Sequence, residues 1–104
     1  MPRRYHIIIT STAANELTDI CTFIQKDSPQ NAAAVARKFI DAINSLELLP
    51  HRFKIHEHRT DPSKTVRSMQ LRPFIVYYRT DDATQTVRIL AIQHGARLQP
   101  PHFR

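Results

Sequence analysis

Two stretches of helical periodicity, parted only by Asp27-Ser28-Pro29, fill residues 11–49, and the apolar runs on either side of them have the character of strands. That order limits the possible folds more than any single residue does. In the first stretch Ala13, Leu17, Ile20 and Ile24 recur at steps of four, three and four, which draws one apolar stripe along a helix. Ser11 and Thr12 offer hydroxyls to cap it, and Glu16 stands near the positive end of its dipole. Ser28 is placed to cap the second stretch, with Pro29 at the first helical position, where an N–H would have no partner anyway. Ala32, Ala36, Phe39, Ile40, Ile43 and Leu46 form the second stripe, and Pro50 ends the helix by about Leu49. A connection this short predicts an antiparallel helical hairpin.

The flanks supply the sheet. Tyr5-His6-Ile7-Ile8-Ile9-Thr10 is β-branched and aromatic, the make-up of a partly buried strand. Residues 66–71, 74–80 and 86–94 read as three more strands, with Asp81-Asp82-Ala83-Thr84 as the turn between the last two, so they predict an antiparallel meander. Residues 50–65 show no sustained period and read as a long polar, basic loop. The predicted class is α+β: an N-terminal strand, then an antiparallel helical hairpin packed on an antiparallel sheet that the C-terminal three-stranded meander completes. Residues 1–104 are expected to form one domain, at a length that buries a core without disulfide staples. Strand alternation places Arg67, Arg79 and Arg88 among apolar neighbours, which predicts basic side chains reaching out from the face the helices leave open.

The formal net charge of +6 is unevenly placed: residues 1–50 hold five Lys/Arg against five Asp/Glu, and residues 51–104 hold ten against four. The second half therefore carries the whole field, which would attract nucleic acid, an acidic protein segment or an anionic surface. Other chemistries find little support. Cys21 is the only cysteine, so neither an internal disulfide nor a Cys-based metal cage can form. His56-Glu57-His58 would need a third metal ligand such as His51 or His94, and solvated loop histidines are the commoner outcome, so no metal is expected. Gly95 is the only glycine, which rules out a Gly-rich phosphate cradle, and no Ser or Cys sits in a strand-to-helix elbow. No run approaches a membrane span and Met-Pro-Arg-Arg has no apolar signal core, so a cytoplasmic location is expected. What remains is a set of cations near aromatic and imidazole groups: Arg67, Arg72, Tyr77, Tyr78, Arg79, His94, Arg97 and the tail His102-Phe103-Arg104. Such a set binds RNA or protein, and cleaves RNA when Arg or Lys stabilises a pentacoordinate phosphate while His or Tyr moves a proton.

Strand, helix, helix and three strands, with Ser28-Pro29 between the helices, Ile75-Val76-Tyr77-Tyr78-Arg79-Thr80-Asp81 in the third strand and His94-Gly95-Ala96-Arg97 closing the fourth, resembles the RelE/ParE superfamily of bacterial toxins over nearly the whole chain. The resemblance implies the toxin of a type II toxin-antitoxin (plasmid stabilisation) pair, encoded beside a small antitoxin that wraps it and represses their shared operon. RelE-like members cut messenger RNA in the ribosome, and ParE-like members poison DNA gyrase. RelE-like nucleases carry lysines in the second strand, an Arg after the aromatic that opens the third, an Arg after the Gly of the closing motif and a Tyr in the tail. Here the second-strand positions are Val66, Ser68 and Gln70, Ile75 follows Phe74, and Pro100-Pro101-His102-Phe103-Arg104 has no Tyr; only Arg97 matches. Each missing electrostatic contact would cost a nuclease about 3 kcal/mol of barrier.

The resemblance therefore favours the ParE side: a gyrase inhibitor that works by binding rather than as an enzyme, with Arg67, Arg72, Tyr78, Arg79, His94 and Arg97 as the residues that meet target or partner. The alternative is a ribosome-dependent mRNA endoribonuclease using Arg67, His94 and Arg97. A third expectation is a non-toxic binding module of the same fold. The implied partners are a cognate antitoxin and either gyrase or the ribosome with its mRNA, with no cofactor, small-molecule substrate or membrane.

Overall fold

The computed structural model describes residues 4–57 and 60–95. The opening β-branched run forms β1, His6–Ile9, and the chain turns directly into α1, Ser11–Gln25. Thr10 is the N-cap, in place of the expected Ser11 or Thr12. A cap needs extended backbone, and Thr10 already has it as the residue leaving the strand, with φ −65° and ψ 158°. Its Oγ1 accepts the Ala13 N–H at 3.3 Å and donates to the Ile89 carbonyl at 2.7 Å, so one hydroxyl starts the helix and ties it to the sheet. Glu16 likewise reaches the sheet: its Oε1 accepts the Ile92 N–H at 3.0 Å.

The Ser28-Pro29 signal holds. The Ser28 Oγ accepts the Asn31 N–H at 3.3 Å, and Pro29 opens α2, Pro29–Asn44. A 3₁₀ turn over Ser45–Glu47 closes the helical segment ahead of Pro50. The remaining strands are β2, Lys54–Glu57; β3, Val66–Leu71; β4, Phe74–Asp81; and β5, Thr86–His94. Together the described strands form one five-stranded sheet in the order β1-β5-β4-β3-β2.

The α+β class and the three-stranded meander are as expected, with two corrections. First, β2 arises inside what reads as a loop. It is a short polar edge strand, antiparallel to β3, with a register shift between Ile55 and Glu57 that blurs its alternation. Second, the sheet is mixed, because β1 lies parallel to β5 while the other pairs are antiparallel.

Cross-strand partners share a face, so the register sorts the side chains. Met69, Val76, Tyr78, Val87, Ile89 and Ile92 lie on the covered face and pack with Ala13, Phe39, Ile43 and Leu46 from the helical layer. Each of these is at most 2% exposed, which makes this the main core. Val66, Tyr77 and Ala91 make a smaller cluster on the other face, with Ile75 and Leu90 packed against it. Between Tyr77 and Tyr78 the β4–β5 register slips by one residue, leaving Leu90 unpaired. Thr10 and Glu16 attach to β5 at this bulge, which fixes α1 against the sheet. Among the described residues no helix is long and apolar enough to cross a membrane.

Candidate functional site

The predicted site residues fall at three separate places. Arg67 is the partner of Tyr78 across β3 and β4, so it lies on the covered face and not on the open one. Its Nη1 donates to the carbonyls of His51, at 3.1 Å, and Phe53, at 2.8 Å. The parity of β3 explains this: Arg67 shares it with Met69 and Leu71, which pack in the main core. Tyr78 is fully buried and its hydroxyl donates to the Pro50 carbonyl at 2.5 Å. The Phe53 ring stands edge-on to it at 6.5 Å, and the Arg52 guanidinium lies over the Phe53 ring at 4.7 Å. Arg67 and Tyr78 thus hold the chain between α2 and β2 against the end of the core. Burial pushes the Tyr78 phenol up to about 12, against the smaller opposing pull of Arg67 and Arg52, so it stays protonated at neutral pH. In this structure Tyr78 offers no surface to a partner.

Arg79 lies on the open face, as the alternation predicts, directly opposite Arg88 across β4 and β5. Its Nε donates to the Lys64 carbonyl at 3.2 Å, which joins β4 to the 3₁₀ turn over Pro62–Lys64. Nearer β2, the His56 ring packs on Tyr77 at 4.8 Å, and its Nε2 stands 4.0 Å from the Glu57 carboxylate. His58, and with it the His56–His58 pairing, lies outside the described residues. Among the described residues no group of three or more His, Cys, Asp or Glu side chains could hold a metal ion.

The third place is the far end of the sheet. His94 is exposed at the end of β5, its ring edge-on to Phe74 at 5.5 Å and 82°. Arg72 is exposed in the β3–β4 turn, where the Arg72–Pro73 bond is cis. The Gly95 N–H donates to the Pro73 carbonyl at 2.8 Å, and a Cβ at Gly95 would stand 3.1 Å from that oxygen. Between this end and α1 runs an apolar groove of about 570 Å³, lined by Ile20, Phe23, Ile24, Val35, Phe74 and His94. Phe23, 71% exposed, is the residue the helical stripes do not single out. The signal was present as an aromatic beside the Ile20–Ile24 stripe, where solvent is the usual neighbour. Arg97 and the tail His102-Phe103-Arg104 lie outside the described residues.

Of the nuclease set Arg67, His94 and Arg97, the two described members are not brought together. Leu71 aligns with Phe74 and Phe74 with His94, whereas Arg67 aligns with Tyr78. Arg67 is therefore four residues along and two strands across from His94, a separation on the order of 15 Å.

With this geometry in view, the comparisons with known proteins place the chain. Residues 7–99 match the family model described as ParE toxin of type II toxin-antitoxin system, parDE. The chain belongs to this family. A chromosomal ParDE system from P. aeruginosa is similar in fold, with a TM-score of 0.67 and 19% identity over 88% of this chain and 96% of that one. The archaeal RelE-RelB complex from Pyrococcus horikoshii OT3 also gives 0.67 and 19%, over 90% and 98%. The RelBE2 toxin-antitoxin complex from Mycobacterium tuberculosis gives 0.58 and 27%, over 91% and 95%. No curated protein matches the sequence.

Proposed function

We propose that this toxin arrests growth by binding DNA gyrase and that a cognate antitoxin silences it by laying an apolar segment into the groove between α1 and the end of the sheet. The observation that carries the reading is the placement of Arg67. A phosphate passing through a pentacoordinate state needs its cations and its proton-transfer group within hydrogen-bond reach of one point. The Arg67 Nη1 is engaged with two backbone carbonyls, and His94 stands at the other end of the sheet. Such an arrangement favours recognition over cleavage. For the antitoxin, the exposed Phe23 beside Ile20, Ile24 and Phe74 supplies the kind of apolar groove that receives an amphipathic segment.

Two assays on the purified protein test the target. Added to gyrase and relaxed plasmid, the toxin is expected to block supercoiling and trap DNA breaks, while messenger RNA on translating ribosomes stays intact. Cut messenger RNA with supercoiling untouched would transfer the assignment to the ribosome-dependent nuclease. Neither effect, with no growth arrest on induction, would leave a non-toxic binding module. The groove is tested separately: Phe23→Asp should abolish co-purification with the co-expressed antitoxin while growth arrest persists.

A further inference from the structure

We infer that the open face of the sheet carries a phosphate-binding cleft, at the end away from His94, that takes the phosphodiester backbone of DNA. The cleft holds about 420 Å³, and its walls include Ile8, Lys64, Arg79, Asp81, Thr86 and Arg88. Arg79 and Arg88 face each other directly across β4 and β5. Like charges at directly opposed positions destabilise a sheet, and an anion lying across them offsets that repulsion by attracting both. Among the described residues Arg88 makes no ion pair.

The third cation is delivered by a built turn. The Asp61 Oδ1 accepts both the N–H of Ser63, at 3.0 Å, and its hydroxyl, at 2.8 Å, while the Lys64 N–H donates to the Asp61 carbonyl at 2.9 Å. Arg79 then pins the turn from below through the Lys64 carbonyl. Among the described residues that line the cleft the one carboxylate is Asp81, and it is directed at its own turn, where its Oδ1 accepts the amides of Ala83, at 3.0 Å, and Thr84, at 3.3 Å. Among the described lining residues three cations therefore accompany one carboxylate, with Thr84 and Thr86 beside them.

Guanidinium forks suit phosphate oxygens better than they suit any other common anion except carboxylate. None of the described residues lining the cleft is aromatic, so none of them stacks a base. The site accordingly reads backbone and not sequence. A free nucleotide would leave its base unhoused, whereas a duplex passes its phosphates along an open cleft. The inference stands apart from the gyrase reading, because naked DNA is ligand enough.

Fluorescence anisotropy with a short labelled duplex DNA tests it across a salt series. The wild-type protein is expected to bind at low salt, with affinity falling linearly on a log–log plot. Lys64→Glu combined with Arg88→Glu should weaken binding by about tenfold or more and flatten the salt slope by about 2. Arg88→Lys should keep most of the affinity. Lys26→Glu with Lys38→Glu, the same change of charge on the helical layer, should leave the DNA affinity within about twofold, since exposed charges far from the contact are screened. All four lysine and arginine positions are exposed, so the fold is expected to survive, and unchanged melting temperatures would confirm it. The inference is overturned if the helical pair weakens binding as much as the cleft pair, or if the wild type binds no DNA at low salt. Displacement by polyglutamate as readily as by unlabelled DNA would also overturn it, making the cleft a protein contact.

Discussion

On the covered face of the sheet Arg67 gives its Nη1 to the carbonyls of His51 and Phe53, whereas on the open face Arg88 is exposed and stands opposite Arg79. Both arginines belong to the basic second half of the chain, yet they do different work. Part of the charge that looks like a docking field holds the segment between α2 and β2 in place, and only the remainder is free to attract a partner. Net charge counted along a sequence thus overstates the charge a partner meets, by the share used internally.

The sharpest way to break this comparison is Tyr78→Ala, which empties the space beneath Pro50 and Phe53. It should cost about 3–5 kcal/mol, as large aromatic truncations in a core do, and urea unfolding would measure it. Alkaline titration comes next. Because the Tyr78 phenol ionises near 12 when folded and near 10 when free, the folded state binds its proton more tightly. Its contribution is complete below about pH 10 and is lost as pH rises toward 12, so the midpoint of unfolding should fall over that window. Tyr78→Phe should remove that part of the dependence. Arg67→Ala should cost about 1–2 kcal/mol, since two backbone carbonyls lose a charged donor that water only partly replaces. Arg88→Ala should leave stability within about 0.5 kcal/mol, because an exposed side chain away from packing contributes little. Equal destabilisation by Arg67→Ala and Arg88→Ala would erase the distinction between the faces.

Much of the fold was legible because its signals are local. Ser28 and Pro29 start α2 by satisfying the first turn, and the stripes of α1 and α2 reach the core through Ala13, Leu17, Phe39, Ile43 and Leu46, although Ile40 stays 51% exposed. The edge strand β2 was not, since four residues with a register shift carry no usable period. Nor was the parallel entry of β1 beside β5, a pairing between the two ends of the described chain. The side of Arg67 was readable in principle from Met69 and Leu71, but Tyr77 and Tyr78 together hide the parity of β4, and only the cross-strand register resolves it. The cleft was out of reach of sequence for a similar reason. Lys64, Arg79 and Arg88 come from three elements, and it takes the turn anchored by Asp61 to bring the lysine over the sheet.

The account rests on Arg67 being a strut and not a catalytic cation, and growth arrest by Arg67→Ala tests that most directly. Induced at a temperature well below its melting point, and at a protein level matched to the wild type, the variant is predicted to arrest growth as the wild type does. A folded Arg67→Ala protein that no longer arrests growth would contradict it.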